Sequence, residues 1–179
     1  MEIVLQKPQG MHDWLRLQRL YVNAFPSAER KPFSRIRQMF REGKADVWCI
    51  LSGDDFVGLA TTVNGDDLIL IDYFAITKKR RGQGLGKAAM ECLLELYRDK
   101  GVFLEIESPD RPGLDQAQRK KRKEFYCGCG FTDLGVKARV FGVPMELLGI
   151  GCQMDFDGYK TFYRDHYSGW AADHLEEVK

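Results

Sequence analysis

The chain lacks any apolar run of eighteen or more residues, and its opening, Met1-Glu2-Ile3-Val4-Leu5-Gln6, has neither the charged nor the long apolar region of a secretory leader. A soluble, cytoplasmic protein with no membrane partner is therefore expected. It also lacks net charge. Its 27 Lys and Arg offset 26 Asp and Glu to leave +1 at pH 7, so there is no global basic field of the kind that gathers nucleic acid, and any basic site must be local. Cysteine is sparse and unpaired in pattern: Cys49, Cys92, Cys127, Cys129 and Cys152 make an odd, scattered set of five, which argues against a disulfide framework. Cys127-Gly128-Cys129 has one spacer where zinc knuckles have two, with no second pair or nearby histidine, so no metal is expected. Repeats, low-complexity tracts and linkers are absent too. With 179 residues, 44% of them hydrophobic, residues 1–179 read as a single domain with a full core, as a monomer or homodimer.

What is present changes period along the chain. Glu2 to Gln6 reads as a short strand. A helix follows with Met11, Trp14, Leu15, Gln18 and Tyr21 near one face, and the piece Ser27 to Gly43 holds a second after Pro32, with Phe33, Ile36, Met39 and Phe40 at helical spacing; the loop Phe25 to Pro32 joins the two. From Asp46 the period becomes two. Val47 to Ser52, Phe56 to Val63 and Leu68 to Ile76 are joined by Gly53-Asp54-Asp55 and Asn64-Gly65-Asp66-Asp67, which predicts an antiparallel meander. A helix ends near Gly101. The strand Val102 to Glu107 is then expected parallel to Leu68 to Ile76, because a helical crossover separates them. Leu114 to Tyr126 reads as a helix with the basic run Arg119 to Lys123. Two strands follow, Phe131 to Gly142 and Met145 to Phe156, and the tail Tyr159 to Val178 is expected to be partly helical.

The chain is organised around Thr77-Lys78-Lys79-Arg80-Arg81-Gly82-Gln83-Gly84-Leu85-Gly86-Lys87, set between the strand Leu68 to Ile76 and a helix with the stripe Leu85, Ala89, Cys92, Leu93, Leu96. The first amides of a helix have no partner within it, and the macrodipole adds roughly half a positive charge there. Glycine lets backbone approach a ligand closely, so strand, basic Gly-rich turn and helix together read as an anion cradle. The helix start carries Lys87 and no carboxylate, and a bound anion would supply the negative charge.

Spacing separates the phosphate motifs. A P-loop fails twice, since Arg81 and Ala88 stand where glycine and Ser or Thr are required. The dinucleotide fingerprint fits Gly84-Leu85-Gly86-Lys87-Ala88-Ala89, with Glu105 about twenty residues on, so an NAD(P)-binding protein stays open as an alternative. Against it stand the intervening residues Thr77 to Gln83 and the antiparallel strands upstream. The third pattern, Arg or Gln, two residues, Gly, one residue, Gly or Ala, is matched by Arg81-Gly82-Gln83-Gly84-Leu85-Gly86. Here the chain resembles the GNAT-type N-acetyltransferases. The resemblance continues through Leu104-Glu105-Ile106 and Phe125-Tyr126-Cys127-Gly128-Cys129-Gly130-Phe131, and covers about Leu68 to Phe131 by motif.

That resemblance implies a mixed α/β fold with a mostly antiparallel sheet of about seven strands, a parallel central pair and flanking helices. It implies an N-acetyltransferase that uses acetyl-CoA on a primary amine, a small molecule or a protein amino group, by direct attack in a ternary complex. A non-catalytic acyl-CoA-binding or sensor module on the same fold is the rival reading. Backbone groups of Phe74 and Ile76, flanking Ala75, would pair with the pantetheine arm, and the amides of Arg81, Gly82, Gln83, Gly84, Leu85, Gly86 and Lys87 would hold the pyrophosphate. Where the family commonly has Asn, seven positions before the motif tyrosine, this chain has Arg119. The loop from Phe25 to Phe33 and the segment Gly142 to Asp157 would frame the acceptor pocket.

Acetyl transfer needs a neutral amine, and an alkylamine with pKa near about 10.4 is almost wholly protonated at neutral pH. Glu105 is the candidate base by resemblance. Strand alternation puts Glu107 on the same face as a second candidate, and Asp72, inside an apolar strand, is a third. Tyr126 matches the position from which the family protonates the departing thiolate.

Overall fold

The computed structural model describes residues 2–178, and Met1 and Lys179, the ends of the expected domain, lie outside them. The strands and helices are β1 (Ile3–Gln6), α1 (Met11–Ala24), α2 (Phe33–Arg41), β2 (Ala45–Ser52), β3 (Asp55–Asn64), β4 (Leu68–Ile76), α3 (Leu85–Leu96), β5 (Gly101–Glu107), α4 (Gln116–Gly128), β6 (Thr132–Val140), β7 (Val143–Ile150), α5 (Phe156–Phe162), α6 (Gly169–Ala172) and β8 (Leu175–Glu177), all but the last overlapping a segment expected to hold such an element. The strands make one mixed sheet in the order β1-β2-β3-β4-β5-β7-β6-β8, mostly antiparallel, with β4 and β5 as its parallel pair. The count is eight rather than about seven. The extra strand, β8, is three residues long, too short for a period-two signal, and exists because β6 offers an edge to pair with at Val140↔Leu175.

The described residues group into two compact units. The first takes the chain up to Asn64 and then Ile71–Arg98; the second takes Gly65–Leu70 and the chain from Asp99 onward.

In the first unit, β1, β2 and β3 are antiparallel neighbours in the registers Leu5↔Ile50 and Cys49↔Leu59, with an irregularity between Ile50 and Leu51. Leu17, Tyr21, Ile36, Val47, Cys49, Leu59, Tyr73 and Ala75 form one buried cluster. The core-facing side of α1 differs from the expected one. Asp13, Leu17 and Tyr21 are its buried residues, while Met11 and Leu15 are 64% and 58% exposed. Two stripes on this helix satisfy a 3.6-residue period, and aromatic packing selects between them: Tyr21 meets Tyr73 edge to face at 4.7 Å, and Phe25 meets the same ring at 4.9 Å. α3 buries Leu85, Ala89, Met90 and Leu93, close to the predicted stripe.

In the second unit, β5 and β7 are antiparallel with Glu105 opposite Leu147 and Ile106 opposite Glu146. β6 and β7 join through a two-residue turn, Phe141-Gly142, so the break falls before Val143-Pro144 and both of those residues lie in β7. Phe141 has φ +49, a left-handed conformation that is costly for an aromatic residue. Its ring stacks on His174 at 5.2 Å, a contact that offsets part of that cost. β7 ends at Ile150, six residues before the expected strand end, and Phe156 instead opens a helix whose first turn is capped by the Asp155 carboxylate accepting from the Gly158 amide at 2.8 Å. α4 starts at Gln116, leaving Leu114 fully exposed outside it. The basic run on α4 is only partly a solvated face. Lys123 reaches Glu146, whose residue is 1% exposed, at 2.7 Å, and Ser108 Oγ donates to the same carboxylate at 2.9 Å.

Candidate functional site

The Gly-rich turn lies wholly in the first unit. β4 runs out at Ile76, Lys78–Arg80 make one 3₁₀ turn, and α3 begins at Leu85. Leu85 is buried and anchors the helix start, whereas Arg81, Gly82, Gln83, Gly84 and Lys87 are exposed and Gly86 is half-buried. Gly82 and Gly84 sit at φ +74 and +77, where a side chain would be strained, and no atom lies within 4 Å of where a Cβ would stand on either. No side chain caps the helix and its first turn holds no acidic residue. The helix start therefore presents unpaired donors beside open space, a fit for an anionic ligand. Two side chains turn back on the loop: Arg81 Nε donates to the Ile76 carbonyl at 3.0 Å, and Gln83 Nε2 to the Lys79 carbonyl at 3.3 Å. Arg80 lies 3.6 Å from Asp55. Phe74 is half-buried, and Ala75 and Ile76 are buried at the end of β4.

Asp72, on β4 of this same unit, is ion-paired with Lys31, and the two side chains are 9% and 11% exposed. Lys31 belongs to the α1–α2 connection, which is otherwise tied down by phenols. Tyr73 donates to the Glu29 carbonyl at 2.8 Å and accepts from the Lys31 amide at 3.2 Å, while Tyr21 donates to the Lys31 carbonyl at 2.9 Å. Burial pushes the Tyr21 phenol up to about 12, and burial with the nearby Asp72 charge pushes Tyr73 higher still. Both act here as neutral donors.

In the second unit, Glu105 lies on β5 with Phe103 and Glu107 on the same face. Its Oε1 accepts hydrogen bonds from the hydroxyls of both Tyr159, on α5, and Tyr163, which opens a π-helical turn, Tyr163–Tyr167. Both tyrosines are buried, at 0% and 2% exposure. Glu107 faces Arg111 at 3.7 Å. Sequence reasoning about the site did not include the two tyrosines. Their only local signal is the i, i+4 spacing in the aromatic tail, which puts both hydroxyls on one helix face.

Tyr126, on α4, is buried between Phe125 and Phe131, with ring centroids at 5.2 and 5.8 Å, and burial pushes its phenol up to about 12. Glu105 lies on one face of β5, and α4, which carries Tyr126, packs on the other. Phe103 meets Tyr159 and Phe162 on the Glu105 face. Lys123 of α4 instead meets Glu146, which shares its face with Ile106. Arg119 is spent on structure: it is 3% exposed, pairs with Asp115, and its guanidinium donates to the carbonyls of Ser108, at 3.1 Å, and of Arg111. That fixes the connection before α4 and explains an arginine at this position. A cavity of about 450 Å³ in this unit is lined by Leu68, Gln153, Met154, Asp155 and Gly158, of which Gln153, Met154 and Asp155 belong to the segment Gly142 to Asp157 expected to frame the acceptor. Among the described residues no group of His, Cys, Asp and Glu is placed to hold a metal, and no helix is long and apolar enough to cross a membrane.

Comparison with known proteins agrees with this architecture. A Bacillus subtilis protein named "Putative acetyltransferase YjbC" is 28% identical over 102 residues, which is 57% of this chain and 49% of that protein, so the chain spans about half the length of the curated relative it matches. A GNAT-family structure from Bacteroides thetaiotaomicron superposes with TM-score 0.77 at 22% identity, covering 100% of both chains. An aminoglycoside 6'-N-acetyltransferase complexed with coenzyme A gives TM-score 0.67 at 14% identity, covering 84% of this chain and 96% of that one. At these identities the two structures speak to the fold alone. The acetyltransferase (GNAT) family model matches residues 11–119, from α1 through the Gly-rich turn and Glu105 into α4. Because that match takes in more than half of the chain, the protein belongs to the GNAT acetyltransferase family.

Proposed function

We propose that this chain transfers an acetyl group from acetyl-CoA to a primary amine by direct attack in a ternary complex. The observation that carries the proposal is the start of α3, where two glycines at positive φ leave an uncapped, carboxylate-free helix N-terminus beside open space. The amides from Arg81 to Lys87 would hold the CoA pyrophosphate, and backbone groups of Phe74 and Ile76 would pair with its pantetheine arm. The side chain of Arg81 is engaged by Ile76, so the loop contributes chiefly its backbone.

In the reaction the amine nitrogen attacks the acetyl carbonyl, a C–N bond forms, the C–S bond breaks, and the amine's proton must leave. Glu105 takes that proton directly or through a water molecule. CoA thiolate, from a thiol of pKa near about 8.5, needs only modest help to leave, and the Tyr126 phenol, protonated throughout the neutral range, gives a stabilising hydrogen bond. Asp72, neutralised by Lys31, is poorly suited to be the base. The coenzyme A and aminoglycoside named for the structural relative support the same classes of donor and acceptor here.

The test is a thiol-release assay with acetyl-CoA and a panel comprising an aminoglycoside, a polyamine and a lysine-containing peptide. Turnover of at least one amine is expected, with CoA affinity lowered about tenfold or more by Gly84→Asp, which sets a negative charge against the pyrophosphate. Tight CoA binding with no transfer to any amine would identify a binding module instead, and unchanged CoA affinity in the Gly84→Asp protein would refute the cradle.

A further inference from the structure

We propose that Tyr159 and Tyr163 are positioning residues for Glu105, and that the chain after β7 exists in part to hold this carboxylate as a proton acceptor. The inference rests on the reading of Glu105 as the base. It is carried by geometry. Two hydroxyls, 54 and 58 residues away in sequence, converge on the same oxygen, Oε1. Hydroxyl donors bind a carboxylate more strongly than a neutral carboxyl, so the pair favours the ionised form and fixes the plane in which Oε2 lies. A carboxylate able to rotate about its last torsion presents Oε2 over a wide arc; one pinned at Oε1 presents it in a single direction.

The segment is built to keep those hydroxyls still. Asp155 caps α5, and Tyr159 packs edge to face on Tyr163 at 5.0 Å and on Phe103 at 6.3 Å. Tyr163 stacks on Tyr167 at 4.7 Å with planes 13° apart. The helix then widens to a π turn from Tyr163 to Tyr167, a feature found disproportionately at functional sites. On α5, its cap and the π turn, Asp155, Asp157, Arg164 and Asp165 are exposed, and Lys160 and His166 are half-buried. Glu107, on the same face of β5, is opposed by Arg111, and Leu147, opposite Glu105 on β7, is apolar. Lys123 meets both Glu146 and Asp133 on the other face.

The experiment uses the full chain with ¹³C-carboxyl glutamate, the Glu105 signal being assigned by its loss in Glu105→Gln. In Tyr159→Phe and in Tyr163→Phe the Glu105 titration midpoint is expected to move up by about one pH unit, since each variant removes a donor to the charged form. The acid limb of kcat/KM for the amine turned over should follow it, kcat at pH 7 should fall about tenfold, and KM for acetyl-CoA should stay unchanged. Near-UV circular dichroism checks that the fold is retained. A midpoint that stays put in the folded Tyr159→Phe/Tyr163→Phe protein would overturn the proposal. So would undiminished kcat in that protein when Glu105→Gln has lost turnover. Full turnover in Glu105→Gln would instead remove the base assignment itself, a different result from either.

Discussion

Replacing Lys31 by Met keeps the length of the side chain and removes its charge, leaving Asp72 without its ammonium in a place where its side chain is only 9% exposed. Breaking a buried ion pair by deleting one partner costs about 3–5 kcal/mol, because the remaining charge has lost its solvation and its partner. The slight exposure of both side chains puts the expectation at the lower end, about 3 kcal/mol. At about 2–4 °C per kcal/mol for a chain of this size, the melting temperature should drop by about 6–12 °C. Lys31→Met/Asp72→Leu, which removes both charges, should recover most of the loss, giving a coupling energy of about 2 kcal/mol or more in a double-mutant cycle. Urea denaturation of the four proteins at pH 7 measures it. The backbone of the connection keeps its ties to Tyr21 and Tyr73, so the loss should be in stability and in local loop order rather than in the fold. A cost below about 1 kcal/mol, the value of an exposed pair, would refute the reasoning, as would a double variant no more stable than Lys31→Met.

Two further outcomes follow from other groups. Tyr126→Phe should lower kcat about tenfold at pH 7 without changing acetyl-CoA binding. In the parent protein no basic limb from this phenol should enter the pH–rate profile below about pH 11, because burial holds it near 12; unaltered kcat would leave Tyr126 as a core aromatic. Asp13 is held below the usual carboxylate value of 3.8 by the Gln9 amide at 2.9 Å and by Arg16 at 2.6 Å. Its contribution to stability is thus complete above pH 3.8 and lost as pH falls through its lower folded value. The gap in stability between the parent and Asp13→Asn should close in that acid range and be constant between pH 5 and 7, and a gap indifferent to pH would refute the assignment.

Local chemistry was enough to read the strand from Leu68 to Ile76, the basic turn and the helix from Leu85, because each depends on residues within a few positions: β-branched alternation, glycines where φ is positive, an apolar stripe at helical spacing. The same holds for the crossover that makes β4 and β5 parallel. Where two local patterns competed, sequence could not choose. α1 carries apolar residues on more than one side, and only the rings of Tyr73 and Phe25 select the Leu17 and Tyr21 face. Arg119 was visible as a departure from the family pattern, but its reason, a buried guanidinium stitching Ser108, Arg111 and Asp115, required the folded connection.

The environment of the proposed base shows the division most sharply. Glu105 and Tyr126 could be picked out through the resemblance of the motifs around them to the family pattern. That the carboxylate is clasped by Tyr159 and Tyr163, that Asp72 is already neutralised by Lys31, and that β8 closes onto β6 are facts of chain closure across 54, 41 and about 37 residues. Periodicity and turn chemistry act over a few positions and place a residue on a helix, a strand or a loop. Which distant side chain meets it there is decided by packing the elements together, where one register and one helix face win by burying more apolar surface and leaving fewer polar groups unpaired.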